Sequence, residues 1–108
     1  MVDESVLRSV RKYLQVVAEN GIPVTRGVIF GSQVSGRTDE WSDIDVLVIS
    51  TKFDGGWDRR NAFLLWELTV KADSRIEPMP VGERQWVEDD VNPVIEIARR
   101  EGVEVALP

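Results

Sequence analysis

The run Asp43-Ile44-Asp45-Val46-Leu47-Val48-Ile49 constrains the fold more than any other part of this 108-residue chain. Its β-branched and leucine residues predict a strand over 44–49, and side chains along a strand alternate between faces with period two. Ile44, Val46 and Val48 share one face. Asp43, Asp45, Leu47 and Ile49 share the other, which sets two carboxylates on one side of an otherwise apolar strand, roughly 6.5–7 Å apart along it.

The flanking segments predict what this strand packs with. Val6, Val10, Tyr13, Leu14 and Val17 recur at helical spacing between Asp3 and Asn20, with Asp3 as N-cap and Asn20-Gly21 followed by Pro23 as the stop. Val24 to Phe30 reads as a strand, and Gly31-Ser32 opens a short helix. After the Asp54-Gly55-Gly56 loop, Asp58 caps a helix to about Lys71, for which Phe63, Trp66 and Val70 are the expected apolar stripe. Arg75 to Val81 is a third extended segment, and Pro78 and Pro80 suit it to a sheet edge because they cannot donate ladder hydrogen bonds. A final helix runs from Pro93 to Arg100, stops at Gly102, and is followed by a short strand over Val103 to Leu107. The order predicts an α+β (α/β) domain, a small mixed β-sheet flanked by helices, spanning 1–108 as one unit.

Composition narrows the chemistry. Hydrophobic residues at 43% and charged residues at 30% are ordinary for one packed core of this length. No apolar run approaches the roughly 20 residues of a membrane span, and the start Met1-Val2-Asp3-Glu4 is acidic, so a cytoplasmic protein is expected. With neither cysteine nor histidine, proton transfer falls to a carboxylate, a lysine, the one tyrosine or the substrate. The net charge of -6 argues against a nucleic-acid backbone as partner, and a nucleoside triphosphate would need divalent cations here.

The chemistry-bearing stretch is Gly31-Ser32, ten residues, then Asp43-Ile44-Asp45. Gly31 permits a tight turn and close backbone approach, and Ser32 can begin a helix whose N–H groups face an anion. Carboxylates spaced like Asp43 and Asp45 repel unless a cation sits between them, and hard oxygen ligands suit Mg²⁺ completed by phosphates. Glu77, on a face with Arg75, Met79 and Val81, is the third acid if its strand lies beside the first. Three carboxylates next to a phosphate cradle are what two-metal phosphoryl or nucleotidyl transfer requires. Each residue also has a plainer reading: Gly31-Ser32 as an ordinary turn, Asp43 and Asp45 as solvated acids, Glu77 as edge-strand protection. Trp41 is placed to stack on a base or to pack. Trp57, Trp66 and Trp86 are assigned to packing or interfaces, and Arg37, Lys52 and Arg75 to phosphate neutralisation or solvated surface.

Phe30-Gly31-Ser32 through Ser42-Asp43-Ile44-Asp45-Val46-Leu47-Val48 resembles the signature of the DNA polymerase beta nucleotidyltransferase superfamily, most of all its minimal nucleotidyltransferases. The resemblance extends loosely over the whole chain and implies the polymerase-beta-like fold. It implies that Gly31 and Ser32 bind the triphosphate, that Asp43, Asp45 and Glu77 hold two Mg²⁺ ions, and that ATP is the substrate. Arg37 is the nearest substitute for basic residues that many members carry soon after Gly-Ser, where this chain has Gln33 and Ser35. It further implies AMP transfer to a hydroxyl, with a tyrosine of a helical HEPN-type toxin as acceptor and the chain as antitoxin. Two alternatives stay open: a binder that occludes its partner without chemistry, and the catalytic half of an aminoglycoside-type nucleotidyltransferase completed by another chain.

Overall fold

The computed structural model describes residues 2–36, 42–56 and 58–107. Helix α1 (Glu4–Glu19) starts where the Asp3 carboxylate accepts the Ser5 backbone N–H at 2.8 Å, and it ends at Asn20 before Gly21 turns the chain at φ +96°. Strand β1 (Arg26–Phe30) leads through Gly31 into the one-turn helix α2 (Ser32–Ser35), and β2 (Ile44–Ser50) follows. Helix α3 (Arg59–Leu68) begins with Asp58 accepting from Asn61 N–H at 2.8 Å and runs into a 3-10 turn over Thr69–Lys71. Then come β3 (Ile76–Gly82), α4 (Glu83–Glu88), α5 (Pro93–Glu101) and β4 (Val103–Val105).

The four strands form one mixed sheet in the order β3-β2-β1-β4. β1 is antiparallel to both β2 and β4, while β3 is parallel to β2 and reached through α3. The prolines of β3 stand at the sheet's edge, where no further strand needs their missing donors. The expected mixed sheet flanked by helices is the observed architecture.

The alternation of β2 divides the core. Ile44, Val46 and Val48 pack with Ile29, Ile76 and the buried faces of α1 and α3. Leu47 and Ile49 pack on the opposite face with Val28, Val81, Trp86, Ile95 and Ala98, under α4 and α5. Tyr13 is fully buried, and its hydroxyl donates to the Leu65 carbonyl at 2.7 Å, tying α1 to α3. Burial pushes this phenol well above its ordinary value, which removes the chain's one tyrosine from the proton-transfer candidates.

Two expectations need correction, and one helix is additional to them. The stripe Phe63, Trp66 and Val70 is not the core face of α3: these residues are 59%, 49% and 75% exposed, and Leu65 and Leu68 are buried instead. The helix is apolar on two nearly opposite sides, since residues two apart are 200° apart around its axis, so periodicity alone could not choose between them. The first strand starts at Arg26 rather than Val24. Helix α4 was not expected at all. It is held by Trp86, and Arg99 of α5 donates to the Trp86 carbonyl at 2.7 Å, contacts the Asp89 carbonyl and lies 5.8 Å from the indole centre. Trp86 is thus a packing residue, as expected, whereas Trp66 is on the surface.

Candidate functional site

The face of β2 that carries Leu47 and Ile49 ends in acids. Asp45, the second residue of β2, is half-buried, and Asp43 stands exposed just before the strand. In the sheet register Asp45 lies between Phe30 of β1 and Glu77 of β3. Parallel pairing of β3 with β2 thus brings the third acid beside the second, which the spacing could state only as a condition.

The three carboxylates feel one another. The Glu77 carboxyl is held above the usual carboxylate range, first by desolvation and then by its contact with Asp45 and the charges of Asp43 and Asp45. Hard oxygen donors of this kind suit Mg²⁺. Among the described residues no three such side chains are drawn together tightly enough to enclose an ion, so a cation here would complete its shell with water or substrate oxygens.

Gly31 follows from both backbone and space. Its φ of +77° and ψ of -143° lie in a region that is essentially glycine's alone, and a Cβ at this position would stand 2.6 Å from Asp45 Oδ2. The turn therefore presses against the carboxylate with nothing between them. Ser32 starts α2, whose single turn is closed by the Val34 and Ser35 N–H groups donating to the Gly31 carbonyl at 3.0 and 3.2 Å.

The residue missed in the sequence is Gln33. It is only 5% exposed, and its Nε2 donates to the Asp43 carbonyl at 3.0 Å and to the Ser42 carbonyl at 3.4 Å. The amide stitches α2 to the backbone that carries Asp43, linking the glycine turn to the acids. A glutamine on a one-turn helix reads as surface, and only its place directly after Gly31-Ser32 hinted otherwise.

The basic candidates fare unevenly. Arg75 is half-buried and engaged by Asp73 through Nε at 3.1 Å and Nη2 at 2.8 Å, which holds the Asp73 carboxyl below its ordinary range. Lys52 lies in the turn beyond Ser50, the last residue of β2, which is itself about 17 Å from Asp45 by strand rise, so it stands at the opposite end of the strand from the acids. Arg37, Trp41 and Trp57 lie outside the described residues.

Comparison with known proteins bears on the family and the fold. A family model described as a nucleotidyltransferase domain matches residues 10–101. A candidate nucleotidyltransferase of Sulfolobus solfataricus superposes with a TM-score of 0.62 at 18% identity, covering 94% of this chain and 82% of its own. A toxin-antitoxin structure with AMP-PNP superposes with a TM-score of 0.61 at 18% identity, covering 91% of this chain and 73% of its own. At that identity the two structures speak for the fold alone. No curated protein matches the sequence. No helix among the described residues is long and apolar enough to cross a membrane. With its family model spanning the second half of α1, the glycine turn, the acids of β2 and β3 and the helix α5, the chain belongs to the nucleotidyltransferase domain family.

Proposed function

We propose that this nucleotidyltransferase moves AMP from ATP to the hydroxyl of a tyrosine on a partner HEPN-type toxin, and so acts as the antitoxin of the pair, in the manner of the minimal nucleotidyltransferases. The observation that carries the proposal is the register Asp45 to Glu77 with Gly31 pressed against the Asp45 carboxylate. The fold shared with a toxin-antitoxin structure solved with AMP-PNP supports the choice of nucleotide and of partner class.

In this reading Asp43 and Asp45 hold the cation that accompanies the triphosphate, and Glu77 joins them around a second. Magnesium bound there supplies the charge that offsets the triphosphate and lowers the pKa of the acceptor hydroxyl. Gly31 and Ser32 receive the phosphate tail, and Gln33 keeps the Asp43 backbone in place beside them. Arg37 is assigned to the same tail by resemblance. The acceptor oxygen attacks the α-phosphorus in line, the bond to the bridging oxygen breaks, and pyrophosphate departs. The chain contains no histidine and its tyrosine is buried, so the acceptor proton passes to a cluster carboxylate or to water.

The test is the intact mass of the helical protein encoded in the adjacent reading frame, after incubation with the chain, ATP and Mg²⁺. Wild type should raise it by whole AMP units, and Asp45→Asn should not, while retaining its fold. An unchanged mass in a complex that still forms would refute transfer and select an occluding binder; modification of an aminoglycoside instead would select the small-molecule reading.

A further inference from the structure

Helix α3 carries an apolar stripe that the fold does not use. Phe63, Trp66 and Val70 are exposed, while Leu65 and Leu68 on the opposite side fill the core with α1 and the sheet. A helix that is apolar on two opposite sides is suited to burial on both. We propose that this stripe is the contact between two copies of the chain, which pair as a symmetric dimer with their α3 helices antiparallel across a two-fold axis at Phe63.

The charges beside the stripe fit that arrangement. Successive residues stand about 100° apart around a helix, so Phe63 lies at the middle of the exposed side, with Arg59 and Trp66 along one flank and Arg60 and Glu67 along the other. In an antiparallel pair related by a two-fold, each flank meets its own copy running the other way. An axis at Phe63 brings the two Phe63 rings together, sets Arg60 of one copy opposite Glu67 of the second, and sets Arg59 over the Trp66 indole of the second. Each of the two flank contacts then occurs twice. Arg60 and Glu67 are both exposed and have no ion pair among the described residues, so neither charge is committed within the chain. A surface made for a different protein has no reason to be complementary to itself under this rotation.

The area is that of a weak, specific dimer. The two half-exposed rings and Val70 offer about 300 Å² of apolar surface per copy, within the size range at which a patch is often functional. With the stems of the flanking charged residues, two copies remove on the order of 1,000–1,200 Å² from water, the low end for specific interfaces, which predicts a dissociation constant of about 10–100 µM. The helix covers the face of the sheet that carries Ile44, Val46 and Val48, whereas Asp43 and Asp45 belong to the other face, so the pairing surface lies away from the acids. The inference therefore stands apart from the transfer reading.

The experiment is sedimentation equilibrium of the full chain in low-salt buffer, from about 5 to about 500 µM so as to bracket that constant, on wild type, Arg60→Glu, Glu67→Arg and an equimolar mixture of the two variants, each first checked by thermal melting. Wild type should pass from one chain to two across this range. Each single reversal sets like charges opposite each other at both symmetric contacts and should weaken the dimer by about tenfold. Mixing the variants restores opposite charges at both contacts, so the mixture should associate within about threefold of wild type. A wild type that stays monomeric throughout overturns the inference and leaves the stripe to a different protein. A dimer that withstands both reversals also overturns it, as does a mixture that remains monomeric, since the contact then lies elsewhere or runs in another direction. None of these outcomes alters the transfer reading, which the partner's mass decides.

Discussion

Replacing Gly31 by alanine tests the join between the glycine turn and the acids. The backbone there, φ +77° and ψ -143°, is one that residues with a Cβ rarely adopt, and forcing it costs about 1–3 kcal/mol. The new methyl carbon would also sit 2.6 Å from Asp45 Oδ2, well inside van der Waals contact, so the carboxylate has to swing aside. For a domain of this size the backbone penalty alone lowers the melting temperature by about 4–12 °C. The displaced carboxylate matters more to function, because a shift of about 1 Å in a positioned group lowers a rate by about 100-fold. Gly21→Ala is the control: it too has a positive φ, +96°, but no atom within 4 Å of the added carbon, so it should lose stability and keep transfer. Melting by circular dichroism and AMP transfer at saturating ATP would be measured on both. If Gly31→Ala retains transfer within about twofold of wild type, the claim that Gly31 exists to let Asp45 stand where it does is wrong.

Other perturbations probe the acids, the stitch and the core. Because the Glu77 carboxyl is held above its ordinary range, its contribution favours the folded state below that range and is lost as pH rises through the raised value. In metal-free buffer Glu77→Gln should therefore melt higher than wild type at neutral pH and indistinguishably at about pH 4, and Mg²⁺ should raise the wild-type melting temperature more than the variant's; identical melting curves at both pH values would contradict this. Gln33→Met keeps volume but removes the amide donor to the Asp43 and Ser42 carbonyls, so stability should fall by about 1–2 kcal/mol and the Mg²⁺ needed for half-maximal transfer should rise several-fold. An unchanged Mg²⁺ requirement would limit Gln33 to a packing role. On α3, urea unfolding should show Leu65→Ala destabilising by about 2–5 kcal/mol and Phe63→Ala by no more than about 0.5. The reverse order would restore the aromatic stripe as the buried face.

What could be read from residues alone follows the reach of each signal. The two faces of β2 and the position of Asp43 and Asp45 on one of them needed only the period-two rule, and the caps at Asp3 and Asp58 needed only local hydrogen bonding. Glu77 could be placed on a face but not beside Asp45, because a parallel neighbour is chosen by the crossover through α3 and not by any local pattern. Helix α4 is six residues long, too short for periodicity to register, and contacts between Arg99 and the Trp86 segment, made across the fold, hold it. Gln33 stayed hidden because its burial depends on carbonyls that lie nine and ten residues further along the chain. The α3 stripe misled because two apolar faces compete, and size favoured the aromatic one while packing against Tyr13 favoured Leu65.

The central claim is that Asp43, Asp45 and Glu77 hold divalent cations beside the Gly31 turn. Its most direct test is a crystal grown with Mn²⁺ and a non-hydrolysable ATP analogue, measured for anomalous scattering from manganese. The account predicts at least one manganese in contact with the carboxylates of both Asp43 and Asp45, with triphosphate oxygens completing its shell next to Gly31. A bound nucleotide whose metal lies away from these two side chains would contradict it.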